Sequence, residues 1–165
     1  VLGKIMGGGF PCAAYGGRAD IMELVAPSGP VYQAGTLSGN PVAVAAGLAA
    51  LELIDRLDPY EDLSETADAL ASGLSKTLEE AGVPHTINRV ESLFSLFFGD
   101  RSVNDYESAG RADHEAYARF FHGMLERGVY LPPSGYEAWF LSAAHGPAEV
   151  ERTLEAARSA ATWRS

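Results

Sequence analysis

Gly35-Thr36-Leu37-Ser38-Gly39-Asn40-Pro41-Val42-Ala43-Val44 is the stretch where the chain changes character. Asn40 is a good N-cap, because its side-chain oxygen can accept from the unpaired N–H groups of a first helical turn. Pro41 suits the first helical position, where its missing N–H is no loss. A helix is therefore predicted from Pro41 to about Leu57, ended by Asp58-Pro59. Val44, Leu48 and Leu51 follow four- and three-residue spacing, but Ala and Val occupy the other faces too. The first turns of this helix are expected to be buried on most sides.

Upstream of that point the chain is glycine-rich. Gly3, Gly7, Gly8, Gly9, Gly16, Gly17, Gly29, Gly35 and Gly39 are half of the chain's 18 glycines. Short apolar pieces lie between them. Such a density costs conformational entropy unless backbone must lie close to something, either another backbone or a ligand. Downstream the pattern becomes periodic. Leu63, Ala67, Leu70, Leu74 and Leu78 make one stripe of a second helix over residues 60–81, with Gly82 placed to end it. Residues 83–90 and 93–98 read as strands, 113–127 as a helix with Tyr117, Phe120, Phe121, Met124 and Leu125 inward, and 129–131 and 136–143 as strands. Pro147 opens a last helix carrying Val150, Leu154, Ala157 and Ala161. Residues 100–111 read as a polar, exposed connection. The second half is thus expected to form an α+β unit, whereas the first half has no complete sheet of its own.

Composition sets the outer bounds. Of 165 residues, 47% are apolar and 21% charged, which suits a folded domain. Twelve basic against 22 acidic residues give a net charge of −10, unfavourable for nucleic-acid backbones and anionic membranes. No apolar run approaches the roughly 20 residues of a membrane-spanning helix. A single cysteine, Cys12, excludes an internal disulfide and points to a reducing, cytoplasmic setting; Cys12 itself is expected to be a buried apolar residue. No metal site is expected. The opening Val1-Leu2-Gly3-Lys4 has neither a signal-peptide pattern nor a Met, and the chain is expected to be a piece of something longer.

Only two lysines occur, Lys4 and Lys76. Lys76 lies in a helical stretch with acidic neighbours and reads as a solvated surface residue. Lys4 stands in Leu2-Gly3-Lys4-Ile5-Met6-Gly7-Gly8-Gly9-Phe10-Pro11. A phosphate loop needs its glycines before the lysine and Ser or Thr after it, and a dinucleotide fingerprint needs a different glycine spacing and a following helix. Neither fits. Two readings of Lys4 stay open: a surface lysine at a turn, or an amine able to form a Schiff base with an aldehyde cofactor. Gly35 and Thr36 likewise admit two readings. Their backbone N–H and hydroxyl suit a phosphate oxygen, but the loop also reads as the cap of the following helix.

The strings around Lys4, then Ala14-Tyr15-Gly16-Gly17-Arg18 and Gly35-Thr36-Leu37-Ser38-Gly39-Asn40-Pro41, resemble those of the glutamate-1-semialdehyde 2,1-aminomutases, within the class III PLP-dependent aminotransferases. The likeness continues in Gly128-Val129-Tyr130-Leu131-Pro132-Pro133-Ser134-Gly135-Tyr136-Glu137-Ala138 and in Ser142-Ala143-Ala144-His145. It implies an α/β, fold-type I aminotransferase architecture. Residues 1–55 would be the end of the large cofactor-binding domain, and residues 56–165 an α+β small C-terminal domain. It implies pyridoxal 5′-phosphate held as an aldimine at Lys4, with a pyridoxamine phosphate form in the cycle. Gly35 and Thr36 would contact the phosphate across a homodimer with shared sites. The implied substrate is glutamate-1-semialdehyde, rearranged to 5-aminolevulinate for porphyrin synthesis. Glu137 matches a substrate-proximal carboxylate; read alone, it is equally a strand-edge surface residue. Related ω-aminotransferases share the lysine and the Asn-Pro helix start but usually carry other residues at Thr36-Leu37. A non-catalytic dimerisation fragment and a simple phosphate-ligand domain are the remaining alternatives.

Overall fold

The computed structural model of the chain describes residues 1–99 and 101–164. It divides into two compact units, Val1–Asp58 and Pro59–Ser165.

In the first unit a 3-10 turn, Lys4–Gly7, and a single helical turn, α1 (Ala19–Met22), precede the long helix α2 (Pro41–Leu57). Isolated bridges pair Leu2 with Ala14 and Val25 with Val31. Helix α2 begins as its sequence dictates. Asn40 Oδ1 accepts from the N–H groups of Val42 (3.0 Å) and Ala43 (3.2 Å). Asp58, in the left-handed region at φ 40°, closes the helix through its N–H to the Ile54 carbonyl. The expected burial of α2 on most sides is not found: only Ala43 and Gly47 are buried, while Val42, Val44, Leu48 and Leu51 are exposed. Among the described residues of this unit, the element packed most closely on α2 is the 3-10 turn. That leaves the remaining faces of the helix uncovered.

The second unit is an antiparallel sheet covered by helices. Strands β1 (His85–Val90) and β2 (Leu93–Phe98) form a hairpin, and β3 (Trp139–Phe140) adds to β2. Glu91, at φ 51°, takes the left-handed place in the two-residue turn. Period-two alternation puts Phe94, Leu96 and Phe98 on one face, against α3 (Tyr60–Glu80), α5 (His114–Glu126) and α6 (Pro147–Ala160). The α3 stripe of Ala67, Leu70, Leu74 and Leu78 is buried as its spacing predicts, and Phe120 and Met124 of α5 meet it. Burying one such side chain contributes roughly 1.5–3 kcal/mol, so this cluster is what holds the unit together.

Several sequence expectations are corrected here. The first strand starts at His85, because Pro84 follows the helix end too closely. Residues 129–131 are loop, and 136–143 are turn and loop, with only Trp139 and Phe140 in the sheet. Asp100, where the polar connection was expected to begin, lies outside the described residues. The rest of that connection is not merely exposed: it contains a capped helical turn, α4 (Tyr106–Ala109). Val103 and Ala109 pack with Phe97 on the sheet's other face. The Asp105 carboxylate accepts from Ser108 N–H and hydroxyl, which holds its pKa below the usual value.

Candidate active site

Lys4 opens the 3-10 turn with φ 53°, in the left-handed region that side chains other than glycine enter at a cost of about 1–2 kcal/mol. The backbone before it is tied down, since Leu2 and Ala14 exchange both bridge hydrogen bonds (2.7 and 2.9 Å). The backbone after it is pressed onto α2. At Gly8, φ 58°, an added Cβ would lie 2.7 Å from the Ala46 carbonyl oxygen; at Gly47 it would lie 2.9 Å from that of Met6. These glycines let one backbone rest on another and fix where Lys4 emerges. The lysine side chain is exposed and engages no hydrogen bond or ion pair among the described residues. Lys76, by contrast, is a surface residue 4.0 Å from Glu80, as its sequence suggested.

Gly35 and Thr36 enter the turn that precedes α2, and both are exposed. The Gly35 carbonyl accepts from Ser38 N–H (2.9 Å), and a Cβ on Gly35 would stand 2.9 Å from Ser38 Oγ, a contact that rotation of the Ser38 side chain relieves. Thr36 makes no hydrogen bond to another described residue, which leaves its hydroxyl free to donate. Gly35 lines a cleft of about 560 Å³ together with Cys12, Tyr15, Gln33, Ser38 and Asn40; Lys4 and Thr36 lie outside its lining. Cys12 is half-buried rather than buried. Asn40 is the helix cap, and the N–H groups it holds are not available to a ligand. An exposed amine, a free hydroxyl and a turn with glycine are a donor set that suits an aldehyde-bearing phosphate ester.

Glu137 belongs to the second unit. It lines a groove of about 390 Å³ with an apolar floor of Leu70, Leu131, Trp139 and Val150 and a rim that also holds His145 and Glu149. The carboxylate is exposed, yet Ser134 N–H donates to Glu137 Oε1 (3.2 Å) and Glu137 N–H donates back to the Ser134 carbonyl (3.1 Å). His145 Nδ1 lies 3.0 Å from the Ser142 N–H, in the turn before α6. Glu149 Oε2 accepts from Gly146 N–H at the start of α6, and that bond holds its carboxyl below the usual range. Beneath the groove loop, burial pushes the Tyr117 phenol up to about 12 while the Trp139 N–H opposes the shift. The Tyr117 hydroxyl donates to the Pro132 carbonyl (2.7 Å); the buried Trp139 Nε1 has no partner of hydrogen-bond geometry among the described residues.

Gly35 and Thr36 thus share one turn, Lys4 stands on another turn of the same unit, and Glu137 lies on a loop of the other unit. The sequence did not reveal the strained backbone of Lys4 or the part of Ser134, Tyr136 and His145 around the groove. Ser134-Gly135-Tyr136-Glu137 has turn composition, and that was the one available signal.

A family model for aminotransferase class-III matches residues 1–163. Glutamate-1-semialdehyde 2,1-aminomutase of Thermus thermophilus is 57% identical over 160 residues, covering 96% of this chain and 38% of the relative. The protein of the same name from Desulfitobacterium hafniense is 56% identical over 157 residues, covering 95% and 36%. The chain therefore spans less than two-fifths of the length of these relatives. Among solved structures, a β-phenylalanine aminotransferase from Variovorax paradoxus superposes with TM-score 0.82 at 31% identity, over 96% of this chain and 36% of that one. An ω-transaminase from Sphaerobacter thermophilus gives 0.76 at 30%, over 96% and 37%. The α/β aminotransferase architecture expected from the sequence is borne out by these superpositions.

Proposed function

The chain belongs to the class-III aminotransferases, and on that premise we propose that it forms the lysine-bearing part of a pyridoxal-phosphate enzyme. The reaction is intramolecular amino transfer, converting glutamate-1-semialdehyde to 5-aminolevulinate on the way to porphyrins. The observation that carries this reading is the backbone of Lys4. A glycine there would be free of strain, and the sequence around it is full of glycines. Keeping a lysine at φ 53° makes sense where its amine is needed, since strained residues concentrate at functional sites.

When bound, pyridoxal 5′-phosphate supplies the electron sink for the carbon that bears the amino group. The protein's part is holding, orienting and moving protons. Lys4 Nζ would hold the cofactor and, when freed, would take a proton from the reacting substrate carbon and return one to it. A primary amine suits both proton donation and proton removal; a guanidinium stays protonated. The Thr36 hydroxyl would donate to a phosphate oxygen, with Gly35 permitting close backbone approach. In a homodimer that turn would serve the neighbouring subunit's site. Glu137, on a loop of the second unit, is the carboxylate assigned to the substrate in this reading. Residues 1–55 then belong to a large cofactor domain and 56–165 to a small domain. A cytoplasmic setting accords with the single free thiol, Cys12.

Identity of 57% to an aminomutase, against 30–31% to transaminases of other substrates, supports the aminomutase over an ω-aminotransferase. The test uses the enzyme that carries this chain, loaded with cofactor. Borohydride reduction and peptide mass mapping should place one phosphopyridoxyl label, on Lys4. Glutamate-1-semialdehyde should yield 5-aminolevulinate with no external amino donor. A label elsewhere, or turnover that requires a keto acid and a separate amine, would overturn the reading.

A further inference from the structure

The geometry points to a device for positioning Glu137: a stack of three rings, Tyr106, Tyr136 and His114, fixes the loop whose carboxylate meets the substrate. This rests on the reading of Glu137 given above.

The loop is residues 132–137. Tyr136, immediately before Glu137, stacks on His114 with ring centroids 4.5 Å apart and planes 20° from parallel. It also stacks on Tyr106 at 5.7 Å and 28°. Its hydroxyl oxygen would be 3.6 Å from a Cβ placed on Gly110, so the ring reaches across the whole α4 turn. On the other side of Tyr136, Gly135 is seated on the core. A Cβ there would lie 3.2 Å from Tyr117 Cγ and 3.2 Å from His114 Nδ1, tighter than ordinary van der Waals contact. Backbone seated this close to the core and a ring held laterally restrict where Glu137 can stand.

The ends of the loop are pinned as well. The Tyr117 hydroxyl donates to the Pro132 carbonyl at one end, and Ser95 Oγ donates to the Glu137 carbonyl (3.4 Å) at the other. His114 itself is anchored, its Nε2 standing 3.1 Å from the Ala109 carbonyl at the end of α4. The connection that sequence reading took for a solvated link therefore has a structural task. Its capped turn carries Tyr106, a tyrosine 82% exposed that contributes nothing to the core. Stacking on Tyr136 is the contact that accounts for an aromatic there. Tyr106, Tyr136 and His114 are positioning residues, acting through Glu137 and not on the substrate.

The test is a mutant cycle in the cofactor-loaded enzyme. Tyr136→Ala should lower kcat/KM on the order of tenfold to hundredfold, the cost of a carboxylate displaced by about an ångström. Tyr136→Phe, which keeps the stack, should restore it. Glu137→Gln should be impaired, and the Tyr136→Ala, Glu137→Gln double variant should be no worse than Glu137→Gln alone, because both changes remove one function. Cofactor absorbance should be the same throughout. If Tyr136→Ala proves unfolded, Tyr106→Ala replaces it in the cycle, since that ring is outside the core; a few-fold loss that disappears in the Glu137→Gln background is then expected. Losses that multiply, or an unimpaired stack variant beside an impaired Glu137→Gln, would overturn the positioning role alone. An unimpaired Glu137→Gln would overturn both that role and the assignment of Glu137 to the substrate.

Discussion

Helices α2 and α3 follow one another in the chain, with only Asp58 and Pro59 between, and each is the longest element of its unit. Their side chains meet opposite fates. In α3 the apolar residues form one stripe, and Leu74 and Leu78 are completely buried. In α2 apolar residues run round most of the cylinder, and Leu48 remains 57% exposed. A stripe needs a single neighbour, and α3 finds it within its own unit. An all-round apolar helix needs several, and α2 has the 3-10 turn. What packs most closely on α2 is backbone, through Gly8 and Gly47, and the outcome of that packing is the placement of Lys4. The second unit uses burial to make a stable body, whereas the first uses close approach to aim a side chain.

The sharpest break of that contrast is at Lys4. Lys4→Ala should lower turnover by at least about 10⁴-fold, since on the proposed reading it removes both the cofactor attachment and the proton carrier. Lys4→Gly should be as inactive but more stable by about 1 kcal/mol, because glycine adopts φ 53° without strain. Activity assays with chemical denaturation measure the two arms. A loss of stability in Lys4→Gly would mean the side chain, not the amine chemistry, justifies the residue.

Next in size is the core. Phe120→Ala, at a completely buried position of the second unit, should cost about 3–5 kcal/mol. Leu48→Ala in the isolated chain should stay within about 0.5 kcal/mol, as expected for a surface substitution. Urea titrations of both variants give the comparison. Equal costs would show that α2 is covered in solution.

The same contrast explains what could be read from sequence. Helix α2, with Asn40 and Pro41 at its start, and the buried stripe of α3 were legible because capping chemistry and 3.6-residue periodicity are local. The strands around Val129 and Tyr136 were over-read: apolar loop residues that line a groove look like strand residues when the groove is not yet known. The turn at Tyr106 was missed because four residues give no periodicity, although Asp105 and Ser108 form its cap. Of the site, residue types left Lys4, Gly35, Thr36 and Glu137 each with a second reading, and only the family resemblance singled them out. The positive φ of Lys4 and the stack beside Glu137 depend on contacts far apart in sequence, which no short string encodes.

A smaller effect is expected at Thr36. Thr36→Val should weaken cofactor retention by a charge-assisted hydrogen bond, about 1.5–3 kcal/mol, or roughly tenfold to hundredfold in Kd. Cofactor titration of the two proteins is the measurement. Equal dissociation constants would return the Gly35-Thr36 turn to the role of a helix lead-in, and the first unit would then aim Lys4 alone.

The least effect, and the one that probes the second unit most finely, is alkaline. Tyr117 is pushed from its ordinary 10.0 up to about 12, chiefly by burial, with the Glu137 charge adding and the Trp139 N–H opposing. A pKa raised on folding means that the native state favours the protonated phenol more than the unfolded chain does. The stabilisation is complete below pH 10 and is lost as pH climbs towards 12. The proton at stake is the one donated to the Pro132 carbonyl, so the loop that ends in Glu137 should loosen over that same interval. Tyr117→Phe should cost about 1 kcal/mol at neutral pH, for a part-buried carbonyl left without its donor. It should also flatten the fall in stability above pH 10. Urea midpoints of residues 59–165 measured from pH 8 to 12 provide the comparison. Parallel curves for wild type and Tyr117→Phe would mean that the phenol titrates from an open groove, and that the floor under Glu137 is less closed than its hydrogen bond implies.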